Sequence, residues 1–286
     1  FYNNTIIKGN ADANKELDDL LTMIFATNEV AKFIVRKVYT FFVYYEITPQ
    51  IETEIITPLA DIFRNNNYNI LPVLDALFKS EHFYDVENKS CLIRPGIDFI
   101  VGLCRESSLV FPTNTILEAQ YQAWLIVSNA ATNFQHSPLA PPNVAGWPAY
   151  YQSPQYHELW INAITIQARK NTAVGLLGLG TPGLGVGINI RIADPLDPTK
   201  TIQKNYGYLK IDTISLIKLF SKPSDPNIVI EEFSELLFGY ELSATTKTNA
   251  KKLFLLKNQL LDSVWTDAWN KFIADETNAV NKKDVE

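Results

Sequence analysis

Cysteine and histidine are scarce in this 286-residue chain. Cys91 and Cys104 are the only cysteines, and His82, His136 and His157 the only histidines. Two cysteines give no disulfide framework, and no histidine stands at metal-ligand spacing from a second donor. The sequence therefore names no metal and no cofactor. Cys91 and Cys104 read as two small buried or half-buried thiols, with a disulfide, which would suit an exported protein, as the alternative. Positive charge is also short: 25 Lys and Arg against 31 Asp and Glu leave a net charge of −6. That balance excludes non-specific nucleic-acid binding, which needs a basic face. Gly and Pro are too few for a collagenous or low-complexity chain.

Long apolar runs are missing too. The one charge-free candidate for a membrane span, Asn171 to Ile190, carries Gly175, Gly178, Gly180, Pro182, Gly183, Gly185 and Gly187 and reads as loop or short strand. Gly178 to Gly183 matches a dinucleotide-binding string, but a helical pattern precedes it and β-like residues follow. The reverse order is required, and Pro182 lacks the N–H a phosphate cradle uses. No nucleophile-elbow string is present. Asp194 and Asp197 lack the surrounding EF-hand pattern that would make them a Ca²⁺ loop. The chain begins at Phe1 rather than Met, so it reads as a processed product or fragment with any signal peptide upstream.

What is there is a globular composition, 47% apolar and 20% charged. The length suits one large domain or two ordinary ones, able to bury roughly three quarters of the unfolded surface. Helical periodicity dominates. It predicts helices over Glu16–Phe25; from an Asn28 cap through Val30, Phe33, Ile34, Val38, Phe41, Phe42 and Tyr45 as a core face, closed by Pro49; over Ile51–Arg64, broken or restarted near Pro58; and from Pro72 to Lys79. Further helices are expected over Gly96–Ser107; from a Thr113 or Asn114 cap to Ala131; and over Tyr156–Arg169, with Trp160, Ile164 and Ala168 as a core stripe. The last third predicts helices over Ile214–Phe220 capped by Asp212, Ile228–Phe238 ending at Gly239, Leu261 back to a Ser243 cap, and Val264–Ala274, with a frayed tail from Asn281. The class is mainly α, an irregular multi-helix bundle with long loops and at most a small β element near residues 184–211. The expected organisation is a helical domain over 1–171, a Gly/Pro-rich connector over 172–211 and a C-terminal helical segment over 212–286 packed on the first.

One stretch departs from this background. Residues 119–157 contain no Asp, Glu, Lys or Arg. They hold Tyr121, Trp124, Phe134, Trp147, Tyr150, Tyr151 and Tyr156. Such a loop either folds into the core or presents a neutral aromatic surface. At its centre Pro141-Pro142-Asn143-Val144-Ala145-Gly146-Trp147-Pro148 forms a stiff frame that aims Trp147, either as a plug in the helical core or as a ring that stacks on a neutral ligand or a partner. Arg169, seven residues after Asn162, either clamps backbone carbonyls or a buried acid, or meets an anionic group. Glu118 and Glu158, which flank the stretch, are the best available pair for a glycosidase-like mechanism.

Four blocks in order resemble the bacterial "domain of unknown function 1800" family. They are Val30 to Tyr39 with Phe41-Phe42-Val43; Leu71 to Phe83; Arg94-Pro95 with Phe99, Val101, Gly102 and Arg105; and Pro141 to Pro148 followed by Trp160-Ile161-Asn162 and Ala168-Arg169. The likeness is good over residues 15–171 and looser beyond, and suggests the C-terminal part of a longer member. Members usually carry a Gly-Gln step before the Pro-Pro motif and a Gly-Gly step after Gly-Trp-Pro, where this chain has Asn133-Phe134-Gln135 and Ala149-Tyr150-Tyr151. The resemblance implies an exported bacterial protein, periplasmic or extracellular, often encoded beside a sulfatase-like exported protein. It carries no catalytic residue. The resulting expectation is a recognition or scaffolding module: Trp147, Tyr150 and Tyr151 stack on a neutral glycan or protein partner, Asn143 hydrogen-bonds it, and Arg94, Arg105 and Arg169 organise the frame or meet an anion. The alternative is an enzyme acting on extracellular, including sulfated, polysaccharide.

Overall fold

A computed structural model describes residues 6, 7, 9, 13–113, 116–179 and 185–285. Asn114 and residues 180–184 of the Gly-rich string lie outside the described residues. The fold is mainly α, with one two-stranded antiparallel sheet among the described residues. The chain divides into two compact units, Phe1–Leu92 and Ile93–Glu286.

The first unit contains α1 (Ala13–Phe25), α2 (Asn28–Phe42), α3 (Pro49–Ile51), α4 (Thr57–Asn65) and α5 (Ile70–Lys79). Its core gathers Ala31, Val35, Tyr39, Val43, Ile56, Leu59, Ala60, Phe63, Val73 and Leu77. On α2 the buried line is Ala31, Val35 and Tyr39, whereas Phe33 and Phe41 are 55% and 64% exposed. The large side chains thus misplace the core face by part of a turn. Ala31 is fully buried, and the Tyr39 phenol lies 2.9 Å from His82 Nε2. Burial pushes the Tyr39 phenol up to about 12. Thr27, not Asn28, occupies the N-cap position of α2, and the helix stops at Phe42.

Pro49 begins a helix rather than closing one: Thr48 caps it by accepting the Ile51 N–H. A π turn, Glu52–Ile56, joins α3 to α4. Pro58 has no N–H to give to the preceding turn, and the wider ring absorbs that loss without breaking the run. Glu52 in this turn accepts from Arg36 Nε and Nη2 at 2.8 and 2.7 Å, and Arg36 also pairs with Glu29. The Arg36 hydrogen bond holds the Glu52 carboxyl below the usual carboxylate range.

The second unit holds α6 (Gly96–Glu106), α7 (Leu117–Asn133), α8 (Ala163–Leu176), β1 (Val186–Ala193), β2 (Thr201–Leu209), α9 (Thr213–Ile217), α10 (Pro226–Leu237), α11 (Ala244–Ala250), α12 (Ser263–Ala274) and α13 (Ala279–Val285). One core packs α6, α7 and α8 against the hairpin through Ile100, Cys104, Ala119, Ala123, Phe134, Leu176, Ile188 and Leu209. The polar segment from Asp194 to Pro198 falls in the hairpin loop. A second core is built by Ile214, Ile217, Val229, Leu256, Trp265, Trp269 and Phe272.

Several boundaries differ from the sequence reading. Thr113 does not cap α7, which begins only at Leu117. Tyr156–Trp160 is a 3₁₀ segment separated from α8 by Ile161 and Asn162. On α8 the buried residues are Thr165, Arg169 and Leu176, while Ile164 is exposed. The cap decides this phase, because Asn162 is bound at the helix start and rotates Ile164 outward. The α10 helix ends before Gly239, with Phe238 extended. Ser243 caps only α11, which continues into a π turn, Lys251–Leu255. The polar tail does not fray: α13 inserts Val285 into the second core, a single apolar anchor that a count of polar residues hides. Cys91 and Cys104 are both free thiols. The Cys91 thiol lies 3.2 Å from the carbonyls of Val43 and Asn88, and burial pushes its pKa up.

Candidate functional site

The uncharged stretch starts on α7 and leaves it through a Schellman turn. Gln135 N–H donates to Thr132 O and His136 N–H to Ala131 O, with Gln135 in the left-handed region at φ 61°. The turn drives Phe134 fully into the core and sets His136 beside it. Gly96 is required here, because a Cβ on it would stand 2.8 Å from Phe134 Cβ and 3.0 Å from His136 Cβ. That close approach places the start of α6 directly under the loop.

The loop returns through Asn162. Its side chain accepts from the Ile164 and Thr165 N–H groups, and Thr165 Oγ1 accepts from the Asn162 N–H, closing a capping box. The Thr165 hydroxyl also reaches Trp160 O at 3.0 Å, and Asn162 Nδ2 donates to Gln135 Oε1 at 2.9 Å. The two ends of the loop are therefore tied together by neutral hydrogen bonds.

His136 is the hub. It stacks on Trp160 at 4.6 Å and meets Trp147 edge-on at 4.6 Å; Tyr150 stands edge-on to Trp160 at 5.4 Å. Its Nδ1 accepts from the Ile97 N–H at 3.3 Å, which assigns the proton to Nε2 in the neutral ring. Burial holds the His136 pKa below the ordinary value of 6.5, with Asp98 opposing and Arg169 reinforcing the shift. His157 accepts from the Ile93 N–H at 3.2 Å and is lowered by burial in the same way. Both rings bind protons less readily folded than unfolded. Their contribution to stability is complete above about pH 6.5, the unfolded value, and is lost as pH falls below it. Denaturant unfolding between about pH 7.5 and 5 is expected to show stability declining with acid, with a shallower decline in His136→Gln.

The candidate residues separate into three groups. Trp147 is half-buried against His136, so it is neither a sealed plug nor a free ring. Tyr150 and Tyr151 are exposed, 51% and 44%. Asn143 is exposed and accepts from the Ala145 N–H at 2.9 Å, while its Nδ2 donates to the Tyr151 phenol oxygen at 3.0 Å. Beside them Val144 and Leu139 stand fully in solvent. Arg94 is exposed and pairs with Glu106 at 3.0 Å, and Arg105 is exposed at the end of α6. Arg169 is buried; its Nη2 donates to Arg94 O at 2.9 Å, and its guanidinium lies over the Phe99 and Phe134 rings at 4.9 and 5.7 Å. It clamps a carbonyl, one of the alternatives its position allowed. The structure brings Asn143, Trp147, Tyr150 and Tyr151 onto one loop. Arg94 and Arg169 meet behind it through a backbone carbonyl.

Sequence reasoning placed Trp160 in the core, as the structure does, but did not single out His136, Phe134 and Phe99 as the frame around it. The signal was the aromatic density itself, but which rings turn inward depends on the Schellman turn and on the Asn162 cap. Glu118 and Glu158 lie at opposite ends of the stretch, on the first turn of α7 and in the 3₁₀ segment, each exposed. Among the described residues no group of three or more His, Cys, Asp or Glu is placed to hold a metal ion, and no helix is long and apolar enough to cross a membrane.

Comparison with curated proteins gave no match, and comparison with solved structures gave none. A family model described as a protein of unknown function, DUF1800, matches residues 1–270. With nearly the whole chain under that model, the protein belongs to the DUF1800 family.

Proposed function

We propose that the chain is a recognition module of an exported bacterial protein, and that the loop 134–160 binds a neutral glycan. The observation that carries the reading is the juxtaposition of exposed Tyr150, Tyr151 and half-buried Trp147 with the amide of Asn143, in a stretch without a single charged side chain. Sugar rings present apolar C–H faces and neutral hydroxyls. Aromatic rings accept the faces, and amide and phenol groups accept and donate to the hydroxyls. The Asn143–Tyr151 pair, with Nδ2 on the phenol oxygen at 3.0 Å and the phenol hydroxyl 3.4 Å from Oδ1, holds both groups in place before a ligand arrives. Arg94 and Arg105 organise the frame at the ends of α6.

Thermal unfolding with neutral hexasaccharides of glucose, xylose and mannose tests the reading. A ligand at 100 times its Kd is expected to stabilise the wild type by about 2.7 kcal/mol. Tyr151→Ala and Trp147→Ala are expected to lose that gain relative to their own baselines. A wild type whose unfolding is unchanged by all three sugars, with intact folding, overturns the proposal.

A further inference from the structure

Two arginines in this protein are treated differently. Arg36, about one third exposed at its side chain, fills its Nε and Nη2 edge with the Glu52 carboxylate and adds Glu29. Arg169 is only 8% exposed, yet the one hydrogen bond of its guanidinium among the described residues is Nη2 to the Arg94 carbonyl. Its Nε is sealed from solvent and has no acceptor. No carboxylate lies within ion-pair distance of it among the described residues. Burial lowers the Arg169 pKa.

A desolvated cation without a counter-charge is strongly unfavourable. The Phe99 and Phe134 faces offset only part of that cost. The Arg94 carbonyl satisfies one of five N–H donors. Clamping that carbonyl does not require a charge, and an apolar side chain would fill the same space at lower cost. The missing partner has a definite chemistry: an oxyanion that can take two parallel N–H donors, which a guanidinium fork matches and an ammonium does not.

We infer that Arg169 is the anchor of an oxyanion-binding site, taking a carboxylate or a sulfate or phosphate group of a ligand on the guanidinium N–H groups that the Arg94 carbonyl leaves unused. The site lies on the inner side of the frame, at Phe99 and Phe134, and does not use the exposed Tyr150 and Tyr151 rings. Its chemistry restricts the ligand to a molecule bearing at least one such group. The carboxylate and the tetrahedral oxyanions are two sources of the same recognition.

The wild type is titrated with acetate, glucuronate, sulfate and phosphate at constant ionic strength, against chloride. The readouts are the melting temperature and the ¹⁵N-resolved Arg Nε–H resonances. The Arg169 signal is identified by its loss in Arg169→Lys. At least one oxyanion is expected to move that resonance saturably and to raise the melting temperature. The gain should weaken by roughly tenfold or more in Arg169→Lys and vanish in Arg169→Met. Response to acetate and glucuronate alone assigns a carboxylate ligand, and response to sulfate and phosphate assigns a tetrahedral one. An Arg169 resonance unmoved by all four, or one that chloride moves equally, overturns the inference. The resonance is read in the wild type, so the result stands even if Arg169→Met fails to fold.

Discussion

Phe134→Ala is expected to lower the stability of the second unit by about 3–5 kcal/mol, the usual cost of truncating a fully buried Phe. The ring is 0% exposed, sits 5.6 Å edge-on from Phe99, and lies under the Arg169 guanidinium. Its loss opens a cavity and removes one of two aromatic faces over a buried cation, so the cost belongs in the upper part of that range. Phe134→Leu keeps most of the volume and should cost less than half as much, because the transfer and cavity contributions mostly survive. Urea unfolding followed by far-UV circular dichroism measures both. A loss below about 1 kcal/mol for the alanine variant would mean that the turn relaxes around the missing ring, and would remove Phe134 from the frame of the site.

Trp265→Ala is expected to cost a similar amount, about 3–5 kcal/mol, in the other core. Trp265 is 3% exposed, stacks on Trp269 at 5.7 Å, and donates Nε1–H to the Pro223 carbonyl at 2.9 Å. Alanine leaves that carbonyl without its indole donor as well as opening a cavity. Trp265→Phe keeps part of the packing and should cost less than alanine but more than the lost hydrogen bond alone, about 1 kcal/mol. The two truncations also differ in what they do to binding. Trp265→Ala should leave the oxyanion and glycan responses intact in the remaining folded protein. Phe134→Ala should weaken the oxyanion response, since the ring touches the guanidinium. Equal effects of both on the oxyanion response would argue that Arg169 reports global unfolding rather than a local site.

Much of the fold was legible in the chain. Periodicity and punctuation placed most helices, because Asp212, Ser243, Pro95 and Pro72 act locally: each sits at or near the start of a helix and needs only its own neighbours to do so. A small β element near residues 184–211 was also legible, and the structure makes it an antiparallel hairpin of Val186–Ala193 with Thr201–Leu209. The uncharged stretch, and with it the loop that carries Asn143, Trp147, Tyr150 and Tyr151, is a property of the sequence alone.

Tertiary structure decided the rest, wherever the outcome depended on which of several similar groups reached a distant partner first. Hydrophobic counting on α2 favoured Phe33 and Phe41, but the helix buries Ala31, Val35 and Tyr39 instead. The tail from Asn281 reads as polar, but Val285 packs into the second core, Asn281 Nδ2 donates to Lys271 O and Asp284 pairs with Lys257. In the site, sequence supplied many rings and one arginine. Only folding chose which rings turn inward, because the left-handed Gln135 and the Asn162 cap fix the loop's two ends at once. The same constraint brought Arg169 beneath Phe99 and Phe134 and left it facing a backbone carbonyl instead of an acid. A charge is visible in a sequence; whether it finds a counter-charge is decided by geometry that spans 75 residues.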